Sequence, residues 1–245
     1  MLARWASDVS KKVPNTFQDV WSFIDGTVRP TCKPCPDPRK LPPGITAGQV
    51  QQAQYSGHKR RHTFKGHTII VPSGMLIHWF GPVDGRRHDS FLLQKSGVLE
   101  QLPNLTIGGV DYKIYGDQAY PVLTHIVGPV PKRYAPPGSA ARALNRAMSS
   151  VRIVSEWWYG IQTNTFQTLD FTRWQRQYLT VPALQYAVCV LFVNCRTCMN
   201  GGTVIGLVHI STDLNLLWMN IYLRGFIHDR VIKITCFSIY VYILS

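Results

Sequence analysis

Glutamate is almost missing from this chain: there are two, Glu100 and Glu156, in 245 residues. Acids of both kinds number 13 against 26 lysines and arginines, so the formal net charge is +13 and the pI near 9.7. Such a balance argues against basic partners and favours a polyanion, because neutralising phosphates releases condensed counterions. Nucleic acid is the first candidate, an anionic membrane surface the second, and charge that only keeps the protein soluble is the plain alternative. Long apolar runs are also lacking. The nearest to the ~18 residues of a membrane-crossing helix is 234–245, twelve long and interrupted by Thr and Ser. The first residues, MLARWASDVSKK, lack the apolar stretch of a secretory signal. Cysteines 32, 35, 189, 195, 198 and 236 are therefore expected to be reduced, in a soluble intracellular protein with no membrane partner. At 45% hydrophobic content the chain can bury one good-sized core.

Strand and helix patterns alternate along it. Leu2, Trp5, Ala6, Val9 and Val13 recur at helical spacing until Pro14 and Asn15. A strand follows over 20–24, then residues 30–48 hold six of the sixteen prolines together with CKPC and Gly44, which predicts an irregular loop. His62 to Val71 and Met75 to Pro82 predict an antiparallel hairpin turning at Pro72, Ser73 and Gly74. A helix is predicted from Asp89 to Leu102, with Phe91, Leu92, Val98, Leu99 and Leu102 on one stripe, and a strand from Tyr112 to Tyr115. Prolines make 121–138 a loop, Ser139 N-caps a helix running to about Phe166, and a last helix covers Val181 to Cys195. The order predicts a mixed α/β fold.

Against the scarcity of acids, three stand out by their surroundings: Asp25 in WSFIDGT, Asp117 in YKIYGDQAY and Glu156 in VRIVSEWWYG. The first two close runs of strand-forming residues and the third lies among aromatics. A buried, unpaired carboxylate is costly and is relieved by a hydrogen-bond partner or a cation. Three that converge would make a site for hard divalent cations, suited to two-metal phosphoryl transfer. For any one of them the plain reading is a cap or an ion-pair partner; Arg152 and Glu156, four apart, share a helix face.

Six strings, FIDGTVRP, QYSGHKRRHTFKG, GPVDGRRHDSFLL, YGDQAYP, LNRAMSSVRIVSEWWYG and VLFVNCRTC, in this order, make the chain resemble the Harbinger-type DDE transposases of the DDE superfamily endonuclease family over roughly residues 5–200. The resemblance implies a ribonuclease H-like core, helices packed on a mixed β-sheet, with the catalytic and metal-ligand roles on Asp25, Asp117 and Glu156. It implies hydrolytic nicking of DNA followed by attack of the freed 3′ hydroxyl on target DNA, with Mg²⁺, or Mn²⁺ in its place, as Lewis acid. A nuclear location goes with that activity. The expected layout is a helical remnant over 1–20, the catalytic domain over 21–200 and an atypical tail over 201–245, poorly packed. Transposases of this type carry a further N-terminal DNA-binding element, whereas about twenty residues precede the first strand here. A separate DNA-binding accessory protein is therefore expected, and the alternative function is a decayed or domesticated copy that binds DNA without cutting.

His58, Lys59, Arg60 and Arg61, with His62, and the pair Arg86 and Arg87 are the expected phosphate contacts; their plain reading is a charged edge strand. Asp89, after His88, is either a polar contact near the site or a helix N-terminal acid. Trp157, Trp158 and Tyr159 either stack on an unpaired base or fill the core. The pairs Cys32/Cys35 and Cys195/Cys198 would have to be brought together by the fold to share a zinc ion, and two unrelated reduced pairs are the stronger expectation.

Overall fold

The computed structural model describes residues 1–14, 16–170 and 182–200, together with the backbone of three short strands between 225 and 242. Helix α1, Leu2–Lys12, forms where Trp5, Ala6 and Val9 repeat on one face; that face is buried, and Trp5 stacks on Trp21 at 5.6 Å. Strand β1 runs from Val20 to Pro30, well past the residue 24 at which the sequence predicts its end. Asp25, Gly26 and Pro30 are poor strand formers, but β3 holds this stretch in register from Phe23↔Ile70 to Pro30↔Thr63, and that pairing overrides local preference.

The proline-rich segment that follows is less irregular than predicted at its end, where α2, Ala47–Gln54, begins with a capping box. The Thr46 hydroxyl accepts from Gln49 N at 3.2 Å and the Gln49 amide oxygen accepts from Thr46 N at 2.8 Å. Strand β2, Tyr55–Ser56, pairs with the start of β3, Arg61–Ile70, which turns into β4, Leu76–Asp84, as the predicted hairpin. Gly74 takes φ 81° in that turn. The single helix predicted over 89–102 is in fact two, α3 Asp89–Lys95 and α4 Val98–Gln101. Gly97 breaks it at φ 74°, and the Ser96 hydroxyl replaces the lost helical bonds by donating to Leu93 O and accepting from Val98 N.

A small hairpin, β5 Thr106–Ile107 and β6 Val110–Asp111, leads to β7, Lys113–Tyr115. Inside the predicted loop lies β8, Ile126–Val127, parallel to β7. Helix α5, Ala140–Thr165, starts at Ser139, whose hydroxyl accepts from Arg142 N at 3.2 Å. Helix α6 spans Pro182–Met199; Val181, its expected first residue, falls outside the described residues. Among the described residues no helix is long and apolar enough to cross a membrane.

The strand order is β8-β7-β1-β3-β4, with β1, β3 and β4 successively antiparallel and β7 and β8 parallel to β1. Beyond β4 the backbone continues as β9 Gly225–His228, β10 Val231–Ile234 and β11 Ile239–Tyr242, with β11 parallel to β4 at Trp79–Gly81. Helices packed on this mixed sheet make a ribonuclease H-like core. The two-residue period of β1 sorts its side chains. Trp21, Asp25 and Arg29 meet Trp5 of α1, Arg152 and Tyr159 of α5 and Tyr186 of α6, whereas Ile24 and Gly26 face Tyr120 and Asp89. At the start of β4, ahead of its pairing with β11, the Asn194 side chain of α6 accepts from Leu76 N at 3.0 Å and donates to Leu76 O at 2.6 Å, as a neighbouring strand would.

Candidate active site

Asp25 and Asp117 stand at matching places in the sheet. The last parallel pair between β1 and β7 is Phe23↔Tyr115, and each aspartate lies two residues beyond it. Adjacent strands run about 4.8 Å apart, so the two carboxylates arise from neighbouring backbones at one sheet edge. The sequence reading that Asp25 ends its strand is corrected: it lies in mid-strand, and what ends there is only the pairing to β7. Gly116 permits the close approach, since a Cβ there would come within 2.9 Å of the Ile24 side chain. Asp117 then opens the turn by accepting from Ala119 N at 2.9 Å.

Helix α5 brings the third acid. Its buried face carries Met148, Val151, Val154, Ser155, Trp158 and Gln162, which leaves Arg152 and Glu156 at its border. Arg152 bridges two of the three acids: its guanidinium lies 3.4 Å from Asp25 and 3.5 Å from Glu156. The Tyr159 hydroxyl donates to the Asp25 carbonyl at 3.2 Å and shares a 2.6 Å hydrogen bond with Thr68, whose hydroxyl also reaches that carbonyl. One helix thus grips the Asp25 backbone and its carboxylate together. The sequence marks Arg152 only as a helix-face neighbour of Glu156, and Thr68 not at all.

Burial pushes the Asp25 carboxyl up to about 6. Arg152 pulls the other way, the charges of Asp117 and Glu156 add to the rise, and the Gly26 N–H, 3.0 Å from the carboxylate, opposes it. The three acids therefore share one local field, with Arg152 as its cation. Among the described residues no three His, Cys, Asp or Glu side chains lie close enough together to hold a metal ion. The donor chemistry nevertheless fits a hard divalent cation, which takes carboxylate oxygens. Asp25 is crowded by negative charge, and Glu156 has 59% of its side chain exposed.

The opposite face of the sheet carries no triad member but holds an enclosed polar cluster. Asp89 opens α3 and sits 3.0 Å from Lys65, against Gly26, where an added Cβ would fall 2.2 Å from its oxygen. Both expectations for Asp89 are thus met in part: it is a first-turn acid, and it touches the residue after Asp25. His67 and His78 lie on this face too, buried, with ring centres 5.3 Å apart. Burial holds His67 well below its usual range and brings His78 from 6.5 down to about 4. The folded state then binds fewer protons than the unfolded chain, so this contribution to stability is whole above pH 6.5 and is lost as pH falls from 6.5 towards 4. For His78 alone the loss is about 3 kcal/mol. Asp25 acts in the other sense, its penalty fading as pH falls from about 6 towards 3.8. Urea denaturation at pH 7.5 and pH 5 is expected to show His78→Leu losing clearly less stability than the parent; equal losses would refute the assignment.

Of the expected phosphate contacts, His58, Lys59 and Arg60 occupy an exposed turn and Arg61 and His62 begin β3. Arg87 is pinned locally, over the Phe91 ring at 4.7 Å and 3.9 Å from Asp84, while its neighbour Arg86 is exposed. Gly85 N donates to Thr63 O and Thr31 N to His62 O, so both basic groups gather at the end of the sheet to which β1 and β4 run. Trp158 is core, Tyr159 serves Asp25, and Trp157 alone of the three aromatics is largely exposed. No disulfide joins the five described cysteines; Cys198 packs on Met75 at the α6 face, and Cys35 is exposed.

Comparisons with known proteins bear on this geometry. Neither the curated proteins nor the solved structures gave a match. The family model described as DDE superfamily endonuclease matches residues 26–194. That match begins one residue after Asp25 and takes in Asp117, Arg152 and Glu156. A ribonuclease H-like sheet with Asp25 in β1, Asp117 in the turn just past the neighbouring parallel strand β7, and a helix carrying the glutamate agrees with it: the chain belongs to the DDE superfamily endonuclease family.

Proposed function

We propose that the chain is the catalytic core of a metal-dependent DNA endonuclease of the transposase type, cutting and joining phosphodiesters with Asp25, Asp117 and Glu156. The observation that carries this reading is the bridged set of acids: Asp25 and Asp117, each two residues past the last β1–β7 pair, and Arg152 spanning Asp25 and Glu156. Two divalent cations, Mg²⁺ or Mn²⁺, when bound, supply Lewis acidity towards the phosphodiester and a nucleophilic oxygen at neutral pH.

The chain's own residues do the rest. Asp25 and Asp117 are held by the sheet, and Tyr159 and Thr68 fix the backbone from which Asp25 projects. For Asp25 such anchoring places the carboxylate on a rigid strand, so its orientation costs little when substrate arrives. Arg152 neutralises the acids in the free protein, and its guanidinium, once displaced, is placed to take a phosphate oxygen of the DNA. The His58–His62 string and Arg86 hold the backbone of the duplex without reading sequence.

Relaxation of supercoiled plasmid tests the proposal. The chain is expected to convert it to nicked circles with Mg²⁺ or Mn²⁺ and not with a chelator in excess. A chain that binds the plasmid and never nicks it under either ion is instead a DNA-binding module, the reading to which the Arg152 bridge would then belong as a permanent ion pair.

A further inference from the structure

A recess lies away from the acids, at the far end of β1. It is an open cleft of about 450 Å³ in which three separate segments meet: Cys32 and Lys33 after β1, Tyr55 of β2, and Arg60, Arg61 and His62 at the start of β3. That volume lies within the roughly 300–1,000 Å³ of sites that take small ligands. No acid lines it, and Asp37 in the neighbouring loop is engaged by its own Arg39 at 2.9 and 3.0 Å. Arg60 is the only described residue besides glycine with positive φ, at 51°, a conformation that a bulky residue keeps only where its surroundings impose it.

Rings accompany the charge. Tyr55 is 43% exposed, and His62 meets it edge to face at 5.4 Å. Burial and the nearby Lys33 hold His62 below its ordinary range, so at neutral pH the histidine is an uncharged wall. A charged edge strand in solvent needs no aromatic floor, nor a lysine delivered from another segment. Thr31 lies six residue steps beyond Asp25, just past the end of extended β1, which sets the cleft roughly 20 Å from the acids at about 3.3 Å per residue.

We propose that this cleft is a subsite for one unpaired nucleotide of the DNA strand flanking the cut, its base laid on the Tyr55 ring and its phosphates on Lys33 and Arg60. The inference rests on the reading of the chain as a DNA-processing enzyme. It is specific for an unpaired strand, because in a duplex the bases lie inside the stack and present no face to a ring within a cleft. Phosphates provide the affinity, and the tyrosine selects strands whose bases are free.

The test is fluorescence anisotropy of the full chain with two labelled probes of equal length, a blunt duplex and a duplex carrying a single-stranded overhang. The parent is expected to prefer the overhang. Tyr55→Ala is expected to weaken overhang binding about tenfold and leave the duplex unchanged, the effect of one lost base–aromatic stack. Tyr55→Phe, which keeps the ring, is expected to retain the preference. Lys33→Ala is expected to reduce the salt slope for the overhang by about 0.7, one single-strand phosphate contact. Equal loss on both probes, or none, for Tyr55→Ala would overturn the subsite while leaving the endonuclease reading intact. A parent that binds neither probe would overturn both. Metal-dependent plasmid nicking by Tyr55→Ala separates the two, since that residue is remote from the acids.

Discussion

Asp117→Asn and Glu156→Gln are each expected to lower metal-dependent nicking by roughly a thousandfold or more while leaving affinity for DNA unchanged or slightly raised. Both substitutions keep shape and remove one negative charge. The asparagine amide retains an oxygen to accept from Ala119 N, so the turn after β7 survives, and Glu156 is exposed enough that its loss does not disturb α5. On the proposed reading, what disappears is part of the charge that would hold the cations, and cations acting as Lewis acids supply several kcal/mol of transition-state stabilisation. Affinity does not fall, because one negative charge beside the phosphates has gone. Plasmid nicking and anisotropy, measured on the same preparations, check the two halves together. A variant that nicks at the parental rate would remove its residue from the catalytic set. If both do, the endonuclease assignment of this site fails.

Trp79→Ala is expected to destabilise the fold by about 3–5 kcal/mol, the range for removing a fully buried tryptophan. Trp79 is 0% exposed, lies against Tyr186 of α6 with ring centres 5.5 Å apart, and sits where a Cβ on Gly66 would come within 3.4 Å of its ring. Its indole nitrogen has no hydrogen-bond partner among the described residues, so the loss there is one of packing and not of polar satisfaction. The cavity would open between β4 and α6, the same junction that Asn194 closes with two hydrogen bonds to Leu76. For a chain of this size the cost corresponds to a fall in Tm on the order of 10 °C. Urea denaturation should show a lower midpoint at an unchanged slope. A shift of less than about 1 kcal/mol would mean that the α6–sheet junction is not part of the cooperative core.

Much of the architecture is legible from local pattern. The hairpin of β3 and β4, the Ser139 cap of α5 and the helical stripe of α1 follow from residues that are neighbours in sequence. Helix α2 is equally legible in principle, since T-A-G-Q is a capping box in four letters, but the prolines before it mask the signal. The length of β1 is not, because Asp25, Gly26 and Pro30 speak against a strand, and only β3, some forty residues on, holds them extended. Two-residue β8 has no periodicity to read and exists because β7 offers it an open edge.

The candidate site divides along the same line. The three candidate acids can be singled out by their rarity and their apolar settings, and the basic string by the charge run itself; both are matters of composition and near neighbours. Folding decides the rest: that Asp25 and Asp117 share a sheet edge, that Arg152 ties Asp25 to Glu156, that Thr68 and Tyr159 clasp the Asp25 carbonyl, and that Lys33 and Tyr55 join Arg60 in one cleft. Most of these contacts join residues tens to more than a hundred positions apart. Their closeness is set by strand register and helix docking, which depend on the burial of the whole core, and no local stretch of sequence contains that information.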